Sequence, residues 1–333
     1  MAFKFPLYRR SGSLIFLDDD VDYLEMLGMV VPASLQVELF SRPTAFLARM
    51  DEEPARWEAD AGLQLQLIER WRMGHPLLPQ VLRYWSSNPA RYQLAQTCVV
   101  DFAMPGIDGL KVLDSLLDWP GSRILLTGQA DDQLAIKAFN KGLIDQFIPK
   151  QTADIAGRLL TTIIKLAEMA HPRLNTVWRT ALQSHHQAML EAPSVAATLH
   201  AMVQEQWIEY VVLGEPFGLL GLTAEGQCDW LQLEPTSGLK DVGDLARSAG
   251  LGFDTVRGIQ EGVLLPAVEL HQQLGLSGPI RTEKAFAIGD EGLLIGAQFR
   301  LGDADLPQPI YPYRHFLDMQ GLRTIQDTWV PTR

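Results

Sequence analysis

Length, composition and charge restrict the classes of protein to which this chain can belong. Its 333 residues are 47% hydrophobic and only 20% charged, which suits two packed cores and excludes a disordered chain. No apolar run approaches the roughly 18 residues of a membrane span, and the N-terminus lacks a signal-peptide core, so a cytoplasmic protein is expected. With only Cys98 and Cys228, neither a disulfide framework nor a zinc-type cluster is expected.

The net charge of −12 is unevenly distributed. Residues 1–171 carry a charge of −4 and residues 172–333 a charge of −8. The C-terminal half therefore lacks the positive field with which a protein binds a nucleic-acid backbone, so nucleic acid is a disfavoured partner.

The chain from Ser13 to about Met169 alternates apolar strand patterns with helical ones, which is typical of a doubly wound parallel sheet. The predicted strands are Leu14–Leu17, Gln36–Phe40, Thr97–Val100, Arg123–Leu126 and Gln146–Ile148. The predicted helices are Val21–Val31, Thr44–Met50, Gly109–Leu117, Asp132–Lys141 and Thr152–Met169. Five strands in this arrangement predict an α/β fold of the flavodoxin-like kind.

About forty residues, from Asp51 to about Leu94, exceed what a short α/β connection needs. Their apolar spacing predicts one or two amphipathic helices, and two interpretations stay open. The segment is either a helical hairpin packed on the domain, or a partner or dimer surface carrying aromatic side chains. The aromatic side chains are those of Trp71, Tyr84, Trp85 and Tyr92.

Pro172, after His171, gives the best domain boundary because a proline stops the preceding helix. We therefore predict one domain over residues 10–170, with a helical insertion at about 51–94, and a separate α+β domain over 173–333. The second domain's predicted helices are Val177–Leu190, Pro193–Val203 and a mostly helical stretch Asp241–Leu274, interrupted at Pro266. Its predicted strands are Trp207–Leu213, Phe217–Leu222 and Cys228–Leu233, followed by a hairpin of Ala285–Ile288 with Leu293–Phe299.

Carboxylates follow two of the predicted strands. Asp18 and Asp19 come directly after Leu14–Leu17, and Asp101 ends the strand beginning at Thr97. Parallel strands deliver such residues to one carboxyl edge, and an acidic pocket there needs a hard cation to hold its charges together. Asp101 is thus a candidate phosphoryl acceptor with Mg²⁺ beside it. Asp20 is an alternative to Asp18 if the strand register shifts by one residue.

Four separated motifs in residues 10–170 resemble those of a response-regulator receiver domain of the CheY-like kind. Asp18-Asp19 match the acidic pair, and Asp101 with Met104-Pro105-Gly106 and Gly109 matches the phosphoacceptor motif. Thr127 matches the switch hydroxyl and Lys150 the lysine. The resemblance implies that Asp19, Asp101 and the backbone carbonyl of Ala103 bind Mg²⁺ directly, that Asp18 helps through water, and that Phe147 is the switch aromatic residue.

The sequence also departs from the receiver pattern. Gln151 replaces the proline that usually follows the lysine, Val21 replaces a frequent proline in the first loop, and the long insertion precedes the phosphoacceptor strand. None of these changes removes a chemical group from the site. A phosphorylation-competent site is therefore expected.

The C-terminal domain matches no known output family. Cyclase, phosphodiesterase and Walker-type motifs are missing from it, and the adjacent His185 and His186 are interpreted as solvated surface because they point in two directions around a helix. Residues 244–262 resemble a helix-turn-helix with Gly250 at the turn. The alternative interpretation is two core helices, and only Arg247 and Arg257 lie near the would-be reading face.

The resemblance implies a two-component response regulator with Mg²⁺ as cofactor and a sensor histidine kinase or phosphotransfer protein as phosphodonor. The output is predicted to act through protein contacts with an unidentified partner, and a homodimer is left open. No enzymatic activity is expected beyond autodephosphorylation. The two alternatives are a DNA-binding regulator using residues 244–262 and an enzymatic output with an unrecognised site.

Overall fold

The computed structural model describes residues 4–128, 132–167, 169, 171–321 and 323–326. The chain folds into two compact units, and each unit consists of three stretches that are not contiguous in the sequence. The first, called here the parallel-sheet unit, comprises Ser11–Gly62, Ala90–Met169 and Arg314–Arg333. The second, the antiparallel-sheet unit, comprises Met1–Arg10, Leu63–Pro89 and Ala170–Tyr313. The functional domains expected at 10–170 and 173–333 stay a prediction, and positions 170 and 333 lie outside the described residues.

Five parallel strands form the sheet of the first unit and confirm the predicted fold class. Their spatial order is Gln36–Phe40, Ser13–Leu17, Ala95–Asp101, Ser122–Thr127 and Gln146–Pro149. A short antiparallel pair, Ala103–Met104 with Ile107–Asp108, follows the central strand. The helices of this unit are Val21–Val30, Pro43–Met50, Gly109–Asp114, Asp132–Asn140 and Ile155–Ala167, with most of Tyr313–Gln320.

One core lies between this sheet and its helices. Leu14 and Phe16, two residues apart on one face of their strand, pack in a cluster with Leu24 and Leu27 of the helix Val21–Val30. That helix begins where the Asp20 side chain accepts a hydrogen bond from the Tyr23 backbone N–H, as an N-cap residue does. The segment from Asp18 to Asp20 is therefore held between a buried strand and a capped helix.

The predicted insertion is helical. It consists of Glu53–Arg72, which passes from the first unit to the second between Gly62 and Leu63, and Leu77–Ser87. The interpretation of its aromatic residues as a partner surface is wrong for Tyr84, Trp85 and Tyr92, which are buried within the chain. Trp71 is half-buried. Large aromatic side chains gain free energy by leaving water, which accounts for the burial of these three rings.

The second unit contains a six-stranded antiparallel sheet, as the α+β prediction requires. Its spatial order is Tyr8–Arg9, Glu209–Gly214, Phe217–Leu222, Cys228–Pro235, Leu294–Leu301 and Phe286–Ile288. Its other helices are Pro172–Arg179, Ser184–Glu191, Pro193–Gln206, Leu239–Ser248, Phe253–Gln260 and Val268–Leu274. The strand Tyr8–Arg9 comes from the N-terminal end of the chain, which the sequence did not reveal.

Two helix predictions in this unit need correction. The helix predicted over 177–190 is two helices, and Pro172 begins the first of them, since a proline at the first helical position has a suitable fixed φ. The stretch predicted as helical over 241–274 contains the strand Leu264–Pro266, which pairs with Thr282–Lys284. Gly262, at φ +73°, ends the helix before this strand.

Candidate functional site

The strand register brings the predicted acidic residues together. Leu17 pairs with Val100, so Asp18 and Asp101 each lie one position further along neighbouring parallel strands. One carboxylate oxygen from each of Asp18, Asp19 and Asp101 falls within 4.8 Å of the others. Asp18 and Asp101 are buried and Asp19 is exposed, so the cluster forms a recess with one acidic residue at its rim.

The structure gives different surroundings to three carboxylates that follow the strand Ser13–Leu17. Asp18 is only 2% exposed, and its Oδ1 accepts a hydrogen bond from the Asp20 backbone N–H at 3.1 Å. Asp20 instead caps the following helix, and Asp22 is exposed in the first turn of that helix. The register shift that would place Asp20 in the pocket does not occur.

Lys150 reaches the acidic cluster from the end of the last parallel strand. Its Nζ lies 2.5 Å from Asp18 Oδ2 and 2.9 Å from Asp101 Oδ1. Its backbone N–H donates to the Thr127 carbonyl oxygen at 2.6 Å, which fixes the end of the strand. One ammonium group thus bridges two buried carboxylates, and its charge balances part of theirs.

Burial and mutual pairing shift the pKa values of Asp18 and Lys150. Burial raises the pKa of Asp18 to about 6, and repulsion by Asp101 adds to this, although Lys150 opposes it. Burial lowers the pKa of Lys150, but its hydrogen bonds to Asp18 and Asp101 outweigh that effect and leave the pKa raised. Three carboxylates face one ammonium group, so the recess carries formal negative charge that Lys150 does not balance.

The remaining predicted residues lie along the same edge. Asp101 Oδ2 accepts a hydrogen bond from the Ala103 backbone N–H at 3.0 Å, so Ala103 is adjacent to the carboxylate. Thr127, which is 2% exposed, ends the strand next to that of Asp101. Phe147 is half-buried and pairs with Leu125. It is therefore removed from the carboxylates but lies on the same sheet face as Thr127, which pairs with Pro149.

The donor atoms fit a magnesium ion. Three carboxylates supply hard oxygen ligands, which Mg²⁺ prefers over nitrogen or sulfur ligands. The exposed position of Asp19 leaves the recess open to solvent on one side. A site that is open in this way suits an ion that keeps several water ligands.

The sequence reasoning missed one residue of this site, Tyr23. The Lys150 ammonium nitrogen lies 4.5 Å from the centre of the Tyr23 ring, within the range of a cation–π interaction. Tyr23 lies in the first turn of the helix that follows the acidic residues, and this position could have identified it from the sequence. A residue there lies close to the carboxyl edge of the sheet.

The C-terminal candidates do not form a comparable site. In residues 244–262 two helices are joined by a turn with Gly250 at φ +89°, and Ala246, Val256 and Ile259 form a small core between them. His186 is buried and its ring stacks on that of Phe217, so its interpretation as solvated surface is wrong, while His185 is exposed. Burial lowers the pKa of His186 to about 4, so this ring is neutral near pH 7.

The strand Ser13–Leu17 lies between Gln36–Phe40 and Ala95–Asp101 in the parallel sheet, which is the strand order of flavodoxin-like folds such as that of CheY. The chain has a fold similar to that of a response regulator with a CheY-like receiver in its N-terminal half. The response regulator LqsR of Legionella pneumophila has a similar structure, with a TM-score of 0.66 and 21% identity over 96% of this chain and 97% of LqsR. No protein-family model matches the chain, and no curated protein does.

Two receiver-domain structures each match about half of this chain. They are a CheY-like receiver domain protein from Methanospirillum hungatei JF-1 and the BeF3-activated receiver domain of DrrB. The first has a TM-score of 0.32 and 15% identity over 47% of this chain and 94% of its own. The second has a TM-score of 0.31 and 17% identity over 48% of this chain and 99% of its own.

Among the residues that the structure describes, no helix is both long enough and apolar enough to cross a lipid bilayer.

Proposed function

We propose that this protein is a two-component response regulator and that Asp101 accepts a phosphoryl group from a sensor histidine kinase or a phosphotransfer protein. The observation that carries the proposal is the convergence of Asp18, Asp19 and Asp101 with the Lys150 ammonium group. The full-length similarity in fold to LqsR agrees with it.

In the proposed reaction a carboxylate oxygen of Asp101 attacks the phosphorus atom of the donor. The bond between phosphorus and the donor nitrogen or oxygen breaks, and the donor leaves with that electron pair. Lys150 exchanges its ion pair with Asp101 for one with the phosphoryl oxygens. Thr127 donates its hydroxyl hydrogen to another of these oxygens, and its movement leaves space into which Phe147 rotates.

Asp18, Asp19, Asp101 and the Ala103 carbonyl oxygen are the residues that would hold Mg²⁺. Bound there, the ion would offset the repulsion between the acidic recess and an incoming phosphoryl group. Asp18 would act through a water molecule and the other three directly. Burial of Asp18 and Asp101 supports this assignment, because a cation gains most where carboxylates are poorly solvated.

The output of the switch is proposed to be a protein contact. Arg247 is paired with Asp244 at 2.6 Å, and Arg257 lies 3.1 Å from Asp254 and 4.0 Å from Glu261. Both arginines of the helix-turn-helix-like segment are thus neutralised within their own helices. Together with the charge of −8 on residues 172–333, this favours a protein partner over a nucleic acid.

Intact-mass analysis after incubation with acetyl phosphate and Mg²⁺ tests the phosphoacceptor. The wild-type protein should gain the mass of one phosphoryl group, and Asp101→Asn should gain none. Asp114→Asn is the matched control, because Asp114 is an exposed residue at the end of the helix Gly109–Asp114. Equal labelling of wild type and Asp101→Asn, or no labelling of the wild type, would contradict the proposal.

Two further measurements test the output. Electrophoretic shift with duplex DNA should show no complex at low salt, whereas a complex that weakens steeply with salt would favour the DNA-binding alternative. Light scattering of the protein with and without phosphodonor should reveal whether phosphorylation changes the oligomeric state. A change that Asp101→Asn abolishes would identify a second copy of the chain as the first protein partner.

A further inference from the structure

Tyr23 occupies a defined place beside the acidic recess. It belongs to the first turn of the helix Val21–Val30, where its backbone N–H is bound by the Asp20 side chain at 3.0 Å. Its side chain is half-buried and packs against the core of the parallel-sheet unit. Contacts on the core side and a fixed backbone hold the ring in one orientation.

The Tyr23 ring contacts the ammonium group of Lys150. Lys150 Nζ contacts Asp18 Oδ2 and Asp101 Oδ1, and it lies 4.5 Å from the Tyr23 ring centre. The negative face of an aromatic ring attracts a cation at this distance. The ammonium group therefore has two carboxylates and one ring face as partners.

The Tyr23 hydroxyl does not explain the position of the ring. The hydroxyl oxygen is buried, and no described residue provides a hydrogen-bond partner for it. Burial raises the pKa of Tyr23, although Lys150 opposes this, so the phenol stays neutral at physiological pH. The contact with Lys150 is thus a property of the ring face and not of a tyrosinate charge.

We propose that Tyr23 is a positioning residue that holds the Lys150 ammonium group over the acidic recess while the ion pair to Asp101 is exchanged for one to the phosphoryl group. This inference rests on the proposed phosphorylation of Asp101. The reaction removes the carboxylate charge from one of the partners of Lys150, whereas the Tyr23 ring face stays unchanged. The ring keeps the ammonium group within reach of the new phosphoryl oxygens.

The expected size of the effect follows from the strength of a cation–π contact. Loss of the ring should slow phosphorylation, shorten the lifetime of the aspartyl phosphate, or both, by about 2- to 30-fold. Tyr23→Leu removes the ring, and Tyr23→Phe keeps the ring face without the hydroxyl group. Met26→Ala is the matched control, because Met26 packs against the same core.

The first test does not depend on phosphorylation. The Lys150 side chain is 21% exposed and its ammonium group is ion-paired, so the ammonium hydrogens should exchange slowly enough to give a nitrogen–proton NMR signal, which Lys150→Met assigns. The signal should persist in Tyr23→Phe and Met26→Ala and disappear or broaden in Tyr23→Leu. An unchanged signal in Tyr23→Leu would overturn the inference.

The second test measures rates of labelling by acetyl phosphate and of loss of the label. Tyr23→Phe should match the wild type, and Tyr23→Leu should differ by the factor above. In a Lys150→Met background, Tyr23→Leu should cause no further change, since the two residues act through one contact. A wild type that is not labelled would refute the phosphorylation itself. Normal labelling and lifetime in Tyr23→Leu would refute only the role of Tyr23.

Discussion

The Arg323 guanidinium group binds the end of the helix Val21–Val30, with Nη1 2.5 Å from the Val31 carbonyl oxygen. The same group donates to the carbonyl oxygens of Gly28, Pro32 and Leu35 at 2.6 to 2.8 Å. Beyond it, the Gln326 N–H donates to the Leu39 carbonyl oxygen, and Ile325 pairs in parallel with Leu39. The C-terminal segment therefore covers the outer strand of the parallel sheet and caps the helix that follows the acidic residues.

Arg323→Ala is expected to destabilise the parallel-sheet unit by about 1–3 kcal/mol. The substitution removes a cation from the negative end of a helix dipole and leaves partly buried carbonyl oxygens without a partner. The midpoint of urea unfolding measures the change. Arg158→Ala, at an exposed arginine, should shift the midpoint little, and an Arg323→Ala midpoint equal to that of Arg158→Ala would contradict the capping role.

Loss of an arginine from a buried ion-pair network should lower the free energy of unfolding far more than loss of one from an exposed pair. Arg49 Nε lies 2.8 Å from Glu38, its Nη1 pairs with Glu53, and Glu53 accepts the Ala95 N–H at 2.9 Å. Arg49→Met should cost about 3–5 kcal/mol, because it leaves buried carboxylates uncompensated. Arg257→Met, in an exposed pair, should cost less than about 1 kcal/mol. Equal costs in urea unfolding would show that the network is not buried in solution.

Gly109 is expected to tolerate no side chain. A Cβ atom there would lie 2.2 Å from the carbonyl oxygen of Asp101, which is backbone and cannot move without shifting the proposed phosphoacceptor. Gly109→Ala should lower both the unfolding free energy and the rate of labelling by acetyl phosphate. Gly62→Ala should have the opposite effect. Gly62 lies inside a helix and a Cβ atom there would meet no other atom within 4 Å, so alanine should stabilise the protein by about 0.5–1 kcal/mol. Wild-type labelling by Gly109→Ala would contradict the close approach.

The stability of the antiparallel-sheet unit should depend on pH through Glu234. Burial raises the pKa of Glu234 to about 7, its hydrogen bond from Gln232 opposes this, and repulsion by Glu269 adds to it. A raised carboxyl pKa stabilises the fold below the ordinary pKa near 4.5, and this contribution is lost as the pH rises through about 7.

The unfolding temperature of the wild type should therefore fall between about pH 5 and about pH 8, and Glu234→Gln should lack this part of the fall. Thermal unfolding across this range measures the difference between the variant and the wild type. Glu283→Gln, at an exposed position, should keep the wild-type pH profile. A Glu234→Gln profile parallel to that of the wild type would show that Glu234 does not titrate with folding.

Local patterns predicted much of the parallel sheet and its acidic edge. The strand Gln36–Phe40 was predicted with its observed bounds, and the other four strands were predicted within two residues at each end. Apolar runs ended by carboxylates predicted that Asp18, Asp19 and Asp101 would lie together. In the C-terminal half, where helices are short and Gly262 and Pro266 interrupt the periodicity, the same reasoning joined separate elements.

The sequence by itself determined which residues line the carboxyl edge, because strand alternation and the parallel direction of neighbouring strands act over short stretches of chain. Only the tertiary structure decided which segments distant in the sequence contact one another, both at this edge and in the rest of the protein. It placed Tyr23 beside Lys150, Ile325 beside Leu39, and Tyr8–Arg9 in the C-terminal sheet. Such contacts depend on which surfaces remain to be buried once the elements have formed, and no local periodicity records that choice.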